Sequence, residues 1–242
     1  MIEKVAIVTG GSRGIGLSIA KKFIDLNFKV IICSRKGSRD LDHLLETSAD
    51  SISWVEMDLQ SQASVKLAAK TILQSHKHID VLVNCAGIAF GSTFLMTKIE
   101  ELKSMFDVNY FNTLFFTQLI VKKMIRDKCG SIINISSIAG IVGGKGMLSY
   151  GGSKAALIHA TRVMASELGA FGIRVNAIAP SIVLTDMGSS NDKKFVAETK
   201  SRMALNQDIL ASDIAEAVAF LSSASKSKGI TGQVLRIDNG LI

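Results

Sequence analysis

The sequence predicts a doubly wound α/β fold, with a seven-stranded parallel sheet carrying helices on both faces. Three observations lead there. Short apolar runs alternate with longer amphipathic ones along the chain, the rhythm of repeated strand–helix units. Several short runs, notably Val5–Val8 and Val81–Val83, are apolar at every position, as strands covered on both faces should be. One proline and twenty glycines in 242 residues, with no low-complexity stretch, offer no linker at which to divide the chain. A single domain over 1–242 is therefore expected.

In chain order, strands are expected at Val5–Val8, Lys29–Cys33, Ser51–Met57, Asp80–Asn84, Ser131–Ile135, Ile173–Ala179 and Gln233–Ile237. Helices are expected near Ile15–Leu26, Arg39–Thr47, Gln62–Ser75, Lys98–Arg126, Tyr150–Ala170 and Ala211–Ser223. Right-handed crossovers would place every strand's C-terminal end on one edge of the sheet, where ligands bind in such folds. Asn84 ends one strand, Ser137 follows another and Pro180 a third. The polar motifs therefore collect on one rim.

Composition narrows the function. Hydrophobic residues at 48% and charged ones at 20% describe a globular chain with material for a sizeable core. The net charge of +7 is scattered, apart from Lys122, Lys123, Arg126 and Lys128 and a run from Lys193 to Arg202. Such scatter argues against a nucleic-acid surface and suits attraction to an anionic cofactor or an acidic carrier protein. Cys33, Cys85 and Cys129 are odd in number, far apart and without a C-x-x-C; they read as reduced thiols in a cytoplasmic protein. His43, His76, His78 and His159 show no H-E-x-x-H pattern, so no metal site is expected. The first strand reaches a glycine motif by Gly10, which leaves no room for a signal peptide. No apolar stretch approaches the ~18 residues of a membrane span.

Thr9-Gly10-Gly11-Ser12-Arg13-Gly14-Ile15-Gly16 lies between the first strand and the first helix. Glycines there permit a tight turn and close backbone approach, and the helix N-terminus offers free amides to a pyrophosphate. The second strand ends Cys33-Ser34-Arg35-Lys36, without the acid that would hold the ribose hydroxyls of NAD. Arg35, backed by Arg13, would suit the 2′-phosphate of NADP; either is otherwise a solvated loop residue. Asp58 could accept from an adenine amino group or cap the helix that follows. Asn84-Cys85-Ala86-Gly87 ends the fourth strand in small residues that let backbone pass close to a cofactor.

Ser137, Tyr150 and Lys154 complete the rim. If Tyr150 opens a helix, the four-residue spacing sets its phenol and the Lys154 ammonium on one face. A cation beside a phenol lowers its pKa from the ordinary value of ~10, which would fit Tyr150 for proton transfer. Taken alone, the pair is also an ordinary surface contact. Asn109 falls inside a long helical pattern, where asparagine needs a reason because it competes with helix hydrogen bonds.

In combination, T-G-x-x-x-G-x-G, N-x-A-G, Asn109, Ser137, Tyr150 and Lys154, in that order, resemble the short-chain dehydrogenase/reductase family across essentially the whole chain. The resemblance is to its 3-oxoacyl-(acyl-carrier-protein) reductase-like branch. It implies a Rossmann fold and NADP(H) as cofactor. It implies Tyr150 as general acid, Lys154 on the nicotinamide ribose, Ser137 on the substrate oxygen, and Asn109 holding a water that relays protons to Lys154. Cofactor contacts are implied for Gly10, Ser12, Arg13, Gly14, Ile15, Gly16, Arg35, Asp58, Leu59, Asn84, Ala86, Gly87, Tyr150, Lys154, Pro180, Val183 and Thr185. Read by itself, Thr185 would be an N-cap for the next helix.

The chain departs from the family pattern at Cys85, usually asparagine, at Ser181 after Pro180, usually glycine, and at Phe171, where carrier-recognising members hold a base. The function implied is NADPH-dependent reduction of a 3-oxoacyl thioester, with acyl carrier protein as a possible partner and a homotetrameric assembly. Ser181–Arg202 is expected to select the carbonyl. A sugar, lipid or secondary-metabolite carbonyl is the alternative substrate, and a catalytically silent dinucleotide sensor the non-enzymatic one.

Overall fold

The structure, a computed structural model, describes residues 3–185 and 193–241. The strands are β1 (Lys4–Thr9), β2 (Phe28–Ser34), β3 (Ile52–Glu56), β4 (Val81–Asn84), β5 (Gly130–Ile135), β6 (Ile173–Pro180) and β7 (Val234–Ile237). They form one seven-stranded sheet in the order β3-β2-β1-β4-β5-β6-β7, and every pairing is parallel. Strand order, built outward from β1 toward β3 and then from β4 toward β7, reverses between β1 and β4, the crevice where ligands bind in doubly wound sheets.

The helices are α1 (Gly14–Asp25), α2 (Arg39–Thr47), α3 (Gln62–Ser75), α4 (Ile99–Phe106), α5 (Asn112–Asp127), α6 (Leu148–Leu168), α7 (Lys193–Ser201) and α8 (Ala211–Ser222). Alternation along the strands feeds two cores. Ala6, Val8, Val81 and Val83 pack with Ile19 and Phe23 of α1 and Val218 of α8. Val5, Ile7 and Leu82 pack on the other face with Ile72 of α3 and Phe116 and Ile120 of α5. The apolar-on-both-sides reading of these strands has this physical basis. Among the described residues, no helix is long and apolar enough to cross a membrane.

Three local features differ from the sequence expectation. The helix expected over Lys98–Arg126 is α4 and α5 joined through a π turn, Asp107–Phe111, with Asn109 at its centre. α7 had no counterpart in the sequence reading. The cap of α3 is Ser61, whose hydroxyl accepts from the Ser64 amide at 3.3 Å. Asp58 does not cap it: Oδ1 accepts from the Gln60 amide at 2.9 Å and tightens the turn before it.

Candidate active site

The glycine turn is built by close approach. Gly10 has φ +69°, a left-handed conformation, and a Cβ there would stand 2.7 Å from the Ala86 Cα. A Cβ on Gly16 would stand 2.3 Å from the Gly10 carbonyl oxygen. Neither contact tolerates a side chain, so the β1–α1 turn lies against the Asn84–Gly87 turn. α1 begins without a side-chain cap at Arg13 and with no acid in its first turn. Its leading amides therefore suit an anion. Thr185 stands over this turn, since a Cβ on Gly14 would meet its Cγ2 at 3.4 Å. Ile15 packs under it against the core. These features fit the diphosphate of a dinucleotide.

The segment after β2 is tied to the same turn. The Ser38 hydroxyl donates to the Ser12 carbonyl at 2.5 Å while accepting from the Leu41 amide at 3.1 Å. That bridge sets exposed Arg35 and Lys36 beside exposed Arg13. On the far side of β2, Asp58 and buried Leu59 end β3's connection, and the Leu59 carbonyl accepts from Asn112 Nδ2 at 2.7 Å. Asn84 enters differently from the others: its Nδ2 donates to Thr117 Oγ1 at 2.9 Å and Asn134 Oδ1 at 2.8 Å. Its side chain thus joins β4 to β5 and α5, leaving only its backbone at the rim. Ala86 and Gly87 follow at the rim itself.

Sequence reasoning missed Thr9 as the organiser here. Its Oγ1 accepts from the amides of Cys85 and Ala86 at 3.0 and 3.1 Å. Position at the end of the first strand was the available signal, but only the β1–β4 pairing shows what the hydroxyl reaches.

Tyr150 is the third residue of α6, so phenol and ammonium do share a helix face. Two bonds clip α6 to the end of β5: Ser136 Oγ donates to the Lys154 carbonyl at 3.0 Å, and Lys154 Nζ donates to the Ile135 carbonyl at 2.8 Å. Ser137 Oγ accepts from the Ala139 amide at 3.1 Å, which leaves its own hydrogen for the side-chain hydrogen bond it shares with Tyr150. The expected lowering of the phenol's pKa is reversed. Burial raises Tyr150 above its ordinary value, against the opposing hydrogen bond from Ser137. The ammonium stands 5.9 Å from the ring centroid, held toward Ile135. Burial also lowers Lys154, to about 8.

Asn109 is buried and grips both backbone groups of Ile88. Its Oδ1 accepts from the Ile88 amide at 2.9 Å and its Nδ2 donates to the Ile88 carbonyl at 2.9 Å. A Cβ on Gly87 would lie 3.1 Å from Asn109 Oδ1 and 3.5 Å from Lys154 Nζ, so these three groups share one corner. Pro180 pairs with Ile237 at the end of β6. Buried Val183 bridges to Ile209, and together they lead the chain to Thr185. Residues 186–192, which carry the helix start expected after Thr185 and part of the expected selecting segment Ser181–Arg202, lie outside the described residues. Among the described residues, no group of three or more His, Cys, Asp or Glu is placed to hold a metal ion.

A family profile described as short chain dehydrogenase matches residues 4–195. The chain is 35% identical over 244 aligned positions to a 3-oxoacyl-(acyl-carrier-protein) reductase of Chlamydia trachomatis serovar D, covering 100% of this chain and 98% of that one. It is 34% identical to a reductase of the same description from Aquifex aeolicus, covering 98% and 97%. Among solved structures it is similar to one described as ElxO with NADP bound, with a TM-score of 0.90, 31% identity and 99% of each chain covered.

Proposed function

This chain belongs to the short chain dehydrogenase family, and from that premise we propose that it is an NADPH-dependent ketone reductase whose substrate class is a 3-oxoacyl thioester. The observation that carries the proposal is the juxtaposition of Ser137, Tyr150 and Lys154 beside a glycine turn shaped for a diphosphate. The similar reductases named for 3-oxoacyl carrier substrates support the substrate class. The similar structure with NADP bound, and Arg13, Arg35 and Lys36 around the Ser12–Ser38 bridge, support the phosphorylated cofactor.

When bound, the nicotinamide supplies a hydride to the carbonyl carbon. Ser137 Oγ–H orients the carbonyl oxygen, and Tyr150 gives that oxygen its phenolic proton as the alcohol forms. The raised pKa of Tyr150 suits this direction: at neutral pH the phenol carries the proton it must donate. Lys154, buried and held by Ile135, is the adjacent group for restoring that proton and for binding the nicotinamide ribose. Asn109 keeps the Gly87–Ile88 backbone in register with Lys154. In this role it is a positioning residue, with its backbone available for a relaying water.

Lys122, Lys123, Arg126 and Lys128 at the end of α5 form the surface for an acidic carrier protein. The turn after α6 adjoins them, since a Cβ on Gly172 would meet the Lys128 carbonyl oxygen at 2.6 Å. Phe171 in that turn favours a second reading, in which the thioester or another small ketone is taken without a carrier. A homotetramer formed through α5 and α6 would cover Leu148 and Val163, which are exposed in one chain. A single cytoplasmic domain completes this reading.

Oxidation of NADPH, followed by absorbance with acetoacetyl thioesters and a panel of sugar and steroid ketones, tests it. Turnover of the thioesters is expected. Turnover confined to other ketones would overturn the substrate class, and cofactor binding with no turnover at all would overturn the enzymatic reading. Tyr150→Phe acting at the wild-type rate would overturn the mechanism.

A further inference from the structure

The first turn of α6 is weakly built for a segment that carries Tyr150. Met147 makes no side-chain cap, and Tyr150 is followed by Gly151 and Gly152. Each glycine inside a helix costs roughly 1 kcal/mol relative to alanine. Nothing in the local sequence therefore holds the phenol still.

The tertiary structure adds a tether from another element. Ser153 is fully buried, at 0% exposure. Its hydroxyl donates to the Tyr150 carbonyl at 2.8 Å and accepts from Asn109 Nδ2 at 3.1 Å. Asn109 is itself locked to both backbone groups of Ile88. It can lend its second N–H to Ser153 because the π turn presents its side chain toward α6 as well as toward Ile88. The chain Ile88–Asn109–Ser153–Tyr150 is complete: both amide hydrogens of Asn109 and the hydroxyl hydrogen of Ser153 have acceptors.

We propose that Ser153 is a positioning residue for Tyr150, its buried hydroxyl tying the first turn of α6 to the π turn and so setting where the phenol stands relative to Ser137. Ser153 is shut away from solvent, so it acts through the Tyr150 backbone. Without it, one Asn109 N–H is left buried and unpaired, and the first turn of α6 keeps its seat on Ala139 and its clip to β5 but loses its tie to the π turn. A displacement there weakens the Ser137–Tyr150 hydrogen bond and misaligns the proton donor.

The inference rests on the reductase reading for its kinetic part, so the test has a second arm that does not. Ser153→Ala is expected to lower kcat about tenfold, with the NADPH Kd by fluorescence titration and the ketone KM both within about twofold of wild type. Tyr110 is the only other of the two tyrosines, so a Tyr110→Phe background isolates the ionisation of Tyr150 in ultraviolet difference spectra. There, loss of the Ser137 contact in Ser153→Ala should move the midpoint upward. An unchanged kcat with an unchanged midpoint overturns the proposal, as does a parallel loss of kcat, cofactor affinity and thermal stability. If Ser153→Ala does not fold, Ser153→Cys, close in size and a poor donor, is read in the same way. If the wild-type protein reduces no ketone, the reductase reading fails and the phenol titration alone decides the role of Ser153.

Discussion

The hydroxyl of Thr9, at the end of β1, holds the amides of Cys85 and Ala86 at the end of β4. One oxygen thus sets the crevice between the two strands where strand order reverses. Thr9→Val keeps the shape and removes the acceptor, leaving two amides without a partner. The expected result is a loss of roughly 1–3 kcal/mol in denaturant unfolding, accompanied by weaker NADPH binding. Unchanged stability would mean that water replaces the hydroxyl.

Arg35 is exposed at the end of β2, beside the segment that the Ser38–Ser12 bridge ties to the glycine turn, and under the proposed function it holds the cofactor's phosphate. Charge-assisted hydrogen bonds contribute roughly 1.5–3 kcal/mol. Arg35→Asp is therefore expected to weaken NADPH at least about tenfold while leaving NADH affinity the same or better. Retained preference for NADPH in paired titrations would remove Arg35 from the cofactor site.

Lys154 supplies a pH dependence. Its pKa is near 8 in the fold and about 10.4 in an unfolded chain. Between those values the unfolded state binds more protons, so the slope of stability with pH is positive. The cost of burying the charged form is fully present below about pH 8 and is relieved as pH rises toward about 10. Lys154→Met removes that titration. Its melting temperature relative to wild type should fall steadily between about pH 7 and pH 10, and a constant difference would argue against a perturbed amine.

The three thiols should separate by reactivity. Burial pushes Cys33 and Cys85 up to about 12, while Cys129 is exposed. Since the thiolate is the reacting form, a disulfide reagent near neutral pH should label Cys129 quickly, partly exposed Cys85 far more slowly, and buried Cys33 only on unfolding. Mass mapping of the labelled site checks this, and rapid labelling of Cys33 would contradict its burial.

Arg174 of β6 closes the end of α8. Its guanidinium donates to the carbonyls of Leu221, Ser222 and Ile230 and to the hydroxyls of Ser227 and Ser131, at 2.7 to 3.4 Å. Arg174→Met removes this fan while the Leu221 carbonyl keeps the Ser131 and Ser227 hydroxyls and the Ile230 carbonyl keeps Asn176 Nδ2, and a loss of about 1–3 kcal/mol is expected. Arg174→Lys should restore little, because a point ammonium cannot reach a fan of five acceptors. Equal stability of the Lys variant and wild type would refute this account.

By itself the sequence determined the sheet, its two covered faces and the gathering of motifs on one rim. Val5–Val8 and Val81–Val83 announce buried parallel strands, and glycine at 10, 14 and 16 announces a tight phosphate-sized turn. These are local matters of period and backbone freedom, readable from neighbours in the chain. Tertiary structure alone decided the partners of the polar groups. The Tyr150–Lys154 spacing suggested an ammonium that lowers a phenol's pKa, yet the fold turns Lys154 toward the Ile135 carbonyl and buries both groups, so desolvation prevails. Asn109 looked out of place in a helix; its reason is Ile88, twenty-one residues away. Ser153 and Arg174 gave no local signal, and Thr9 only its place at a strand end, because hydrogen bonds and burial depend on residues that only folding brings together.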